Sequence, residues 1–380
     1  MKIIDMKIVV VGNPWKNWIF VKVFTDEGIE GLGECTGGLM TAPNEGSLKE
    51  LKSRIIGRDP TRVNELIDFV RKTLFLSRGG NALSGIEMAC WDIIGKTCGR
   101  PLYQLLGGKV REKIRVYANG WYQGPREPQA FAEKAAQMVE AGYTALKFDP
   151  FGKAYKFMSR EEEILSMDIV RAVRRTVGEQ VDLMIEAHDR FSLSQAVRLG
   201  QLLEEFHPFW FETPVLSDNL EKVNEVASRI HIPVIAGERS EDPRELARLM
   251  SANRIDLINP EILGVGGIGG LLDCFAAARC FDCFVAPHNA QSPYCTAANV
   301  HVGITQTNLL IQECFDDSAA PWVSEVLLGF PKVKNGYIEP EDVPGIGVSL
   351  QEEEALKHPY GDKNFLWMFE DGWERRKGNK

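Results

Sequence analysis

The chain has 380 residues, 44% of them hydrophobic and 26% charged, the balance of a folded protein with a sizeable core, which excludes wholesale disorder. Its 44 Lys and Arg against 53 Asp and Glu leave a net charge of −9, so the basic face that nucleic acid requires is not expected. No apolar run approaches the roughly 20 residues of a membrane span, and Asp5 and Lys7 break the apolar opening MKIIDMKIVVVG, which reads as a strand and not as a signal peptide.

In chain order, WIFVKVF (18–24) alternates as a strand, TDEG (25–28) turns, and IEGLGE (29–34) returns as the second arm of a hairpin. Residues 46–105 follow a helical pattern with short Gly and Pro interruptions. From about 113 a short apolar run followed by a polar helix pattern recurs. The runs are IRVYANG (114–120), ALKFDP (145–150), DLMIEAH (182–188), FWFETP (209–214), PVIAGE (233–238), DLINPE (256–261), CFVAPH (283–288) and LLIQEC (309–314). Such runs suit strands buried on both faces of a parallel sheet. The helices between them have readable ends: Ser159 with Glu162, closed by Gly178, and Asp242 with Pro243 and Glu245. Eight alternations predict a (β/α)8-type barrel, with a doubly wound open sheet as the alternative. After residue 325 the rhythm stops, and PKVKNGYIEPEDVPGIGVSL is a Gly- and Pro-rich tail suited to packing on another domain.

The eight cysteines are scattered and read as reduced thiols of a cytoplasmic protein. Cys280 and Cys283 form a CxxC, but the second pair of a zinc ribbon is missing, so two thiols at a helix-to-strand junction are expected.

In such barrels reactive groups sit at the C-terminal ends of the strands. Here those ends carry Lys147 and Asp149, Glu186 and His188, Glu212, Glu238, Glu261, His288 and Glu313. Glu186, Glu212 and Glu238 follow one another at intervals of 26 residues, one strand–helix unit each, which sets three carboxylates side by side at the barrel mouth. Convergent carboxylates repel unless a hard divalent cation lies among them, and all-oxygen ligation suits Mg²⁺. His188, two residues beyond Glu186, shares its strand face. His288 ends the seventh run on the other side of the ring, where Glu261 can hold its imidazole. Two histidines across a metal make an acid–base pair. Glu313 is either a protonated donor to a substrate carboxylate or an ion-pair acid. His207, His231, His301 and His358 read as structural.

Together these residues resemble the enolase superfamily, in its mandelate racemase-like subgroup. The likeness is carried by the Glu186, Glu212, Glu238 series, by VAPHNAQSP (285–293), by ALSGIEMACWDIIGKTCGRPLYQLLGG (82–108) and by PGIGVSL (344–350). It implies an α/β fold: a modified (β/α)7β TIM-type barrel at 113–325 that carries the site, an N-terminal α+β capping domain at 1–112, and a C-terminal segment at 326–380 that completes the cap. It also implies an enzyme using Mg²⁺ to abstract the proton α to a carboxylate, and a homo-oligomer, dimer or octamer. Racemases of the subgroup carry Lys-x-Lys after the second barrel strand; here the segment is Lys147-Phe148-Asp149, and a carboxylate is a poor substitute for a lysine base. RVYANGW (115–121) and LKFDPFG (146–152) are similar to the acid-sugar dehydratases of the galactonate and gluconate type, a lyase activity. The implied reaction is β-elimination of water, with His288 as base, His188 as acid, and Lys147 on the substrate carboxylate or enediolate. A sugar-acid epimerase, an anhydro-sugar-acid cycloisomerase and a non-catalytic sugar-acid binder are the alternatives. Three positions depart from the family pattern: Glu186 and Glu261 stand where Asp is usual, and Thr213 replaces the second acid of Glu-Glu-Pro.

The cap loop NPWKNW (13–18) is expected to close over the mouth. Lys16, Trp15 and Trp18 are candidate substrate contacts there, as are Asp149 and Arg190, with an Arg190–Asp189 ion pair as the simpler expectation. Gly264 to Gly269 matches GxGxxG, a weak dinucleotide signature that in a barrel reads as a tight turn able to receive an anion.

Overall fold

Alternation in the first 34 residues becomes an antiparallel sheet of β1 (Ile3–Asn13), β2 (Lys16–Thr25) and β3 (Glu30–Glu34) in the order β1-β2-β3. The computed structural model describes residues 1–38, 40–74 and 80–375, and residues 75–79 of the helical reading lie outside them. Helices α1 (Ala42–Ile55), α2 (Val63–Leu74), α3 (Asn81–Cys98) and α4 (Leu102–Leu105) follow. Helix α3 is buried around most of its circumference because β3 packs on one side and the barrel on the other. Glycine permits the first contact: a Cβ on Gly33 would lie 1.9 Å from the Gly85 carbonyl oxygen.

The eight apolar runs form eight parallel strands: β4 (Ile114–Ala118), β5 (Ala145–Phe148), β6 (Asp182–Glu186), β7 (Trp210–Glu212), β8 (Val234–Ala236), β9 (Leu257–Ile258), β10 (Phe284–Val285) and β11 (Gln312–Cys314). Pairing runs in sequence order from β4 to β10, β11 pairs with β4, and a parallel bridge from Val285 to Leu309 closes the ring. Seven strands are followed by helices: α5 (Pro128–Glu140), α6 (Arg160–Val177), α7 (Leu193–Leu203), α8 (Leu220–Ala227), α9 (Pro243–Ser251), α10 (Ile262–Val265) with α11 (Gly267–Cys280), and α12 (Pro293–Gly303). The eighth strand has no such helix, which makes the barrel (β/α)7β. Its interior is plugged by Tyr117, Ala145, Met184, Trp210, Ile235 and their neighbours, a packed core beneath the mouth and not a pore.

Several ladders end before their apolar runs do. Pro214, Pro260 and Pro287 lie in the runs ending β7, β9 and β10, and proline has no N–H to donate to a ladder. The chain past each strand is thereby released from its neighbours to aim side chains into the mouth.

The C-terminal segment stitches cap to barrel. After α13 (Val323–Val326), β12 (Leu327–Leu328) pairs with β14 (Ser349–Leu350), while β13 (Tyr337–Ile338) adds antiparallel to β4. Glu352 of α14 (Glu352–Ala355) then binds Lys7 and Lys22 of the cap, the latter at 2.9 Å. Beyond it, Lys16 bridges to Phe365, and the chain continues to Trp373 over the barrel.

The GxGxxG turn receives an anion from within the protein. Ile268 N and Gly269 N each donate to the Glu87 carboxylate of α3 at 2.9 Å, and Trp91 Nε1 donates to it at 2.8 Å. A Cβ on Gly267 (φ 82°) would sit 2.1 Å from Glu87 Oε2. The place a pyrophosphate would need is taken, so the motif is the anion-receiving turn expected in a barrel and not a dinucleotide site. All eight cysteines are free. Cys283 donates to the Ile255 carbonyl at 3.2 Å, and burial pushes its thiol up to about 11, which argues against a redox pair with Cys280. No helix among the described residues is long and apolar enough to cross a membrane.

Candidate functional site

The ends of β6 and β7 and the residue two past β8 bring Glu186, Glu212 and Glu238 together, with one oxygen of each within 4.8 Å of the others. Glu186 and Glu212 are individually supported. Thr213, the residue replacing the family's second acid, donates its hydroxyl to Glu186 Oε1 at 2.7 Å. Trp210 Nε1 donates to Glu212 Oε2 at 2.8 Å, and Asn259 Nδ2 to Glu212 Oε1 at 2.9 Å. Burial and the neighbouring Glu186 charge push the Glu212 carboxyl well above its ordinary range, and burial raises Glu238 despite the nearby His288. Burial would raise Glu186 too, but the charges of His188 and Lys147 outweigh it and hold that carboxyl below the usual range. Three converging, oxygen-only ligands under mutual repulsion, two buried and Glu238 partly so, fit a hard divalent cation.

Lys147, on β5, lies in the centre. Its ammonium is 2.6 Å from Glu212, 2.9 Å from Glu313 and 3.2 Å from Glu186. Burial disfavours its charge, yet Glu212 and Glu313 outweigh that and raise it well above its ordinary value. Glu313 also accepts from Asn119 Nδ2 and Asn289 N, both at 2.7 Å. Burial raises its carboxyl, but Lys147 and His288 bring it down to about 2. Of the two roles left open for Glu313, the ion-pair acid is the one seen.

On one side of the triad His288 Nδ1 meets Glu261 Oε2 at 2.8 Å, and its Nε2 points inward, 3.5 Å from Glu238 and 3.9 Å from Glu313. The longer Glu261 therefore reaches the imidazole where Asp is usual. Gln291 Nε2 donates to the same carboxylate at 3.1 Å.

On the other side His188 Nδ1 meets Asp149 Oδ2 at 2.6 Å, and the His188 backbone N donates to Glu186 Oε1 at 2.8 Å. Asp149 is fully buried. The partners seen for it are groups of the protein itself: His188, Arg190 and the Phe151 N–H. Arg190 is also fully buried, and its guanidinium donates to Asp149 and to the carbonyls of Ala187 (2.8 Å) and Gly152 (2.6 Å). The expected Arg190–Asp189 pair is not formed; Asp189 instead accepts from Arg239 at 3.0 Å and from Ser217. His188 and Asp189 both have left-handed backbone, φ 49° and 59°, a conformation that costs non-glycine residues energy and persists only where surroundings enforce it.

From the cap, Lys16 Nζ donates to Ala290 O at 2.9 Å and Gln291 Oε1 at 3.1 Å, beside His288. Trp15 packs on Phe315, their ring centroids 5.8 Å apart. Trp18 is buried in the core against Trp322, where it packs and does not line the mouth. Sequence reasoning missed Asn119, Asn259 and Trp210. The last two each lie two residues before a strand-end acid, the spacing that shares a face.

Residues 5–107 match the mandelate racemase / muconate lactonizing enzyme N-terminal domain, and residues 130–355 match the enolase C-terminal domain-like family. A protein of Picrophilus torridus named D-gluconate/D-galactonate dehydratase is 35% identical over 95% of this chain and 93% of its own. A D-gluconate dehydratase of Thermoproteus tenax is 34% identical over 94% of this chain and 74% of its own. The crystal structure of a mandelate racemase/muconate lactonizing enzyme from a Sulfitobacter species superposes with a TM-score of 0.90 at 30% identity, covering 98% of both chains. The chain belongs to the mandelate racemase/muconate lactonizing enzyme family of the enolase superfamily.

Proposed function

We propose that this protein is an acid-sugar dehydratase, a lyase that removes water from an aldonic acid of the D-gluconate or D-galactonate kind to give a 2-keto-3-deoxy acid. The observation that carries the reading is a pair of histidine–carboxylate dyads, Glu261–His288 and Asp149–His188, flanking one carboxylate triad. They follow β10 and β6, four places apart in a ring of eight strands, so they address opposite sides of whatever lies between.

Glu186, Glu212 and Glu238 would hold Mg²⁺. When bound there, the cation supplies positive charge against the substrate carboxylate and against the negative charge that develops as the α-proton leaves. His288, oriented by Glu261, takes the proton from C2. The C3–O bond then breaks, and His188 donates its proton to the departing hydroxyl, which leaves as water. With Nδ1 held by Asp149, delivery falls to Nε2. The enol tautomerises to the keto acid. Lys147 meets the substrate carboxylate, and Lys16 closes the His288 side. The names of the Picrophilus and Thermoproteus relatives support this choice of substrate class.

The test is a screen of purified protein with Mg²⁺ against aldonic and aldaric acids, with α-keto acid detected as its semicarbazone. The reading requires a hit that disappears with EDTA, with His288→Ala and with His188→Ala. Deuterium entering C2 in D₂O with no keto product from any acid would replace dehydration by epimerisation or ring opening.

A further inference from the structure

The mechanism leaves unused a residue that touches its acid from the far end of the chain. Trp373, buried, sets its ring nearly perpendicular to that of His188, at 87° with centroids 5.8 Å apart. Its indole N–H donates to the Gly152 carbonyl at 2.9 Å. The same carbonyl accepts from Arg190 Nη1 at 2.6 Å, Arg190 binds Asp149, and Asp149 meets His188 Nδ1 at 2.6 Å. The contacts thus form a closed loop: imidazole, carboxylate, guanidinium, carbonyl, indole and back to imidazole. Tyr122 backs the indole edge-on at 6.4 Å.

A closed loop fixes what an open chain of contacts cannot. Asp149 alone sets the distance of Nδ1 but leaves the imidazole able to rotate about that hydrogen bond. The left-handed His188–Asp189 backbone is held by Glu186 at His188 N and by the Thr213 carbonyl at Asp189 N, both at 2.8 Å, but neither bond reaches the plane of the imidazole. The indole is the wall against rotation, and its own position is tied through Gly152 to the residue that orients Asp149.

We propose that Trp373 is a positioning residue for His188, holding the plane of the imidazole so that Nε2 faces the leaving hydroxyl. The kinetic consequence rests on the dehydratase reading; the contact itself does not. Trp373→Ala removes the wall, while Trp373→Phe keeps one aromatic ring and loses the second ring and the N–H bond to Gly152. Misplacing a reacting group by about an ångström costs on the order of 10²-fold. We therefore expect Trp373→Ala to lower kcat for dehydration roughly 10- to 100-fold with KM little changed, and Trp373→Phe to recover most of that loss. Exchange of the C2 proton with D₂O, which needs His288 and not His188, should persist in both variants. Independently of turnover, the NOEs from the His188 Hε1 proton, assigned by its loss in His188→Gln, to its remaining neighbours should be redistributed in Trp373→Ala, a mark of reorientation that loss of the indole ring current alone does not give. An unchanged NOE pattern overturns the proposal. So does a parallel fall of dehydration and exchange with no recovery in Trp373→Phe. A redistributed pattern in a protein that dehydrates no sugar acid would uphold the positioning and sink the dehydratase reading.

Discussion

Asp149 Oδ2 lies 2.6 Å from His188 Nδ1, so a residue at the place of a racemase lysine serves the histidine of the next strand. Removing that lysine and gaining a second dyad are one change. Asp149→Asn keeps the shape but loses the charge that stabilises the imidazolium and selects its tautomer. Dehydration should fall by about 10²-fold or more, the scale of a general acid's contribution, while C2 exchange in D₂O continues. Loss of both in equal measure would show that Asp149 supports the site as a whole.

His288 gives a pH prediction. Burial disfavours its charge, but Glu238, Glu313 and Glu261 outweigh this and push it up to about 10 with only protein groups around it. A protonated imidazole cannot accept the C2 proton. A divalent cation on Glu238 cancels the largest of those charges, so saturating the protein with Mg²⁺ should move the His288 titration down towards neutrality. Its Cε1 chemical shift followed against pH, with EDTA and with Mg²⁺, checks this; titrations that coincide would dissociate the metal from the base.

Glu87 pins the cap to the barrel. Its carboxyl is pushed up to about 7, because burial outweighs the N–H groups of Gly269 and Ile268. Glu87→Ala strands one buried and two part-buried donors, the buried one alone costing about 1–3 kcal/mol, and should lower the urea midpoint. Glu87→Gln mimics the protonated acid in size and keeps one acceptor, so its loss should be the smaller. Equal effects would mean that the negative charge, and not the acceptor geometry, holds the turn.

His301 controls stability at acid pH. Its Nδ1 accepts from Tyr103 N at 3.2 Å and its Nε2 donates to Ile346 O at 3.1 Å. Burial lowers it from 6.5 to about 4. The unfolded chain therefore binds a proton in this window that the folded chain refuses. Its contribution is complete above pH 6.5 and is lost as pH falls towards 4, by about 3 kcal/mol in all. Urea unfolding across this range should show a shallower slope in His301→Gln than in the wild type.

The barrel was legible because eight short apolar runs, mostly buried on both faces, with Phe284 of β10 exposed, are a period that few other folds share. The cap hairpin was legible in the alternation of residues 18–34. The strand ends were less so: the ladders of β9 and β10 stop at two residues, since proline and the turn into the site remove partners that hydropathy does not register. Within the site, the regular spacing of Glu186, Glu212 and Glu238 marked positions that do converge. The partners of Asp149 and Arg190 were not readable, because a 39-residue reach to His188 depends on side-chain direction at the mouth. Trp373 lay in a stretch with no periodic signal, and its 185-residue separation from His188 leaves no local trace. The GxGxxG turn was legible as a tight turn able to receive an anion, but not that the anion is Glu87, a side chain from another part of the same chain.

That long separation has a consequence for biosynthesis. Strands β1 to β3 are made well before their partners, since Lys7, Lys22 and Lys16 meet Glu352 and Phe365 more than 300 residues further on, and Trp373 comes later still. A nascent chain can close its barrel before His188 meets its indole neighbour. Translation that stalls between β11 and Trp373 would thus leave a chain whose eight strands can pair but whose His188 side of the mouth is open.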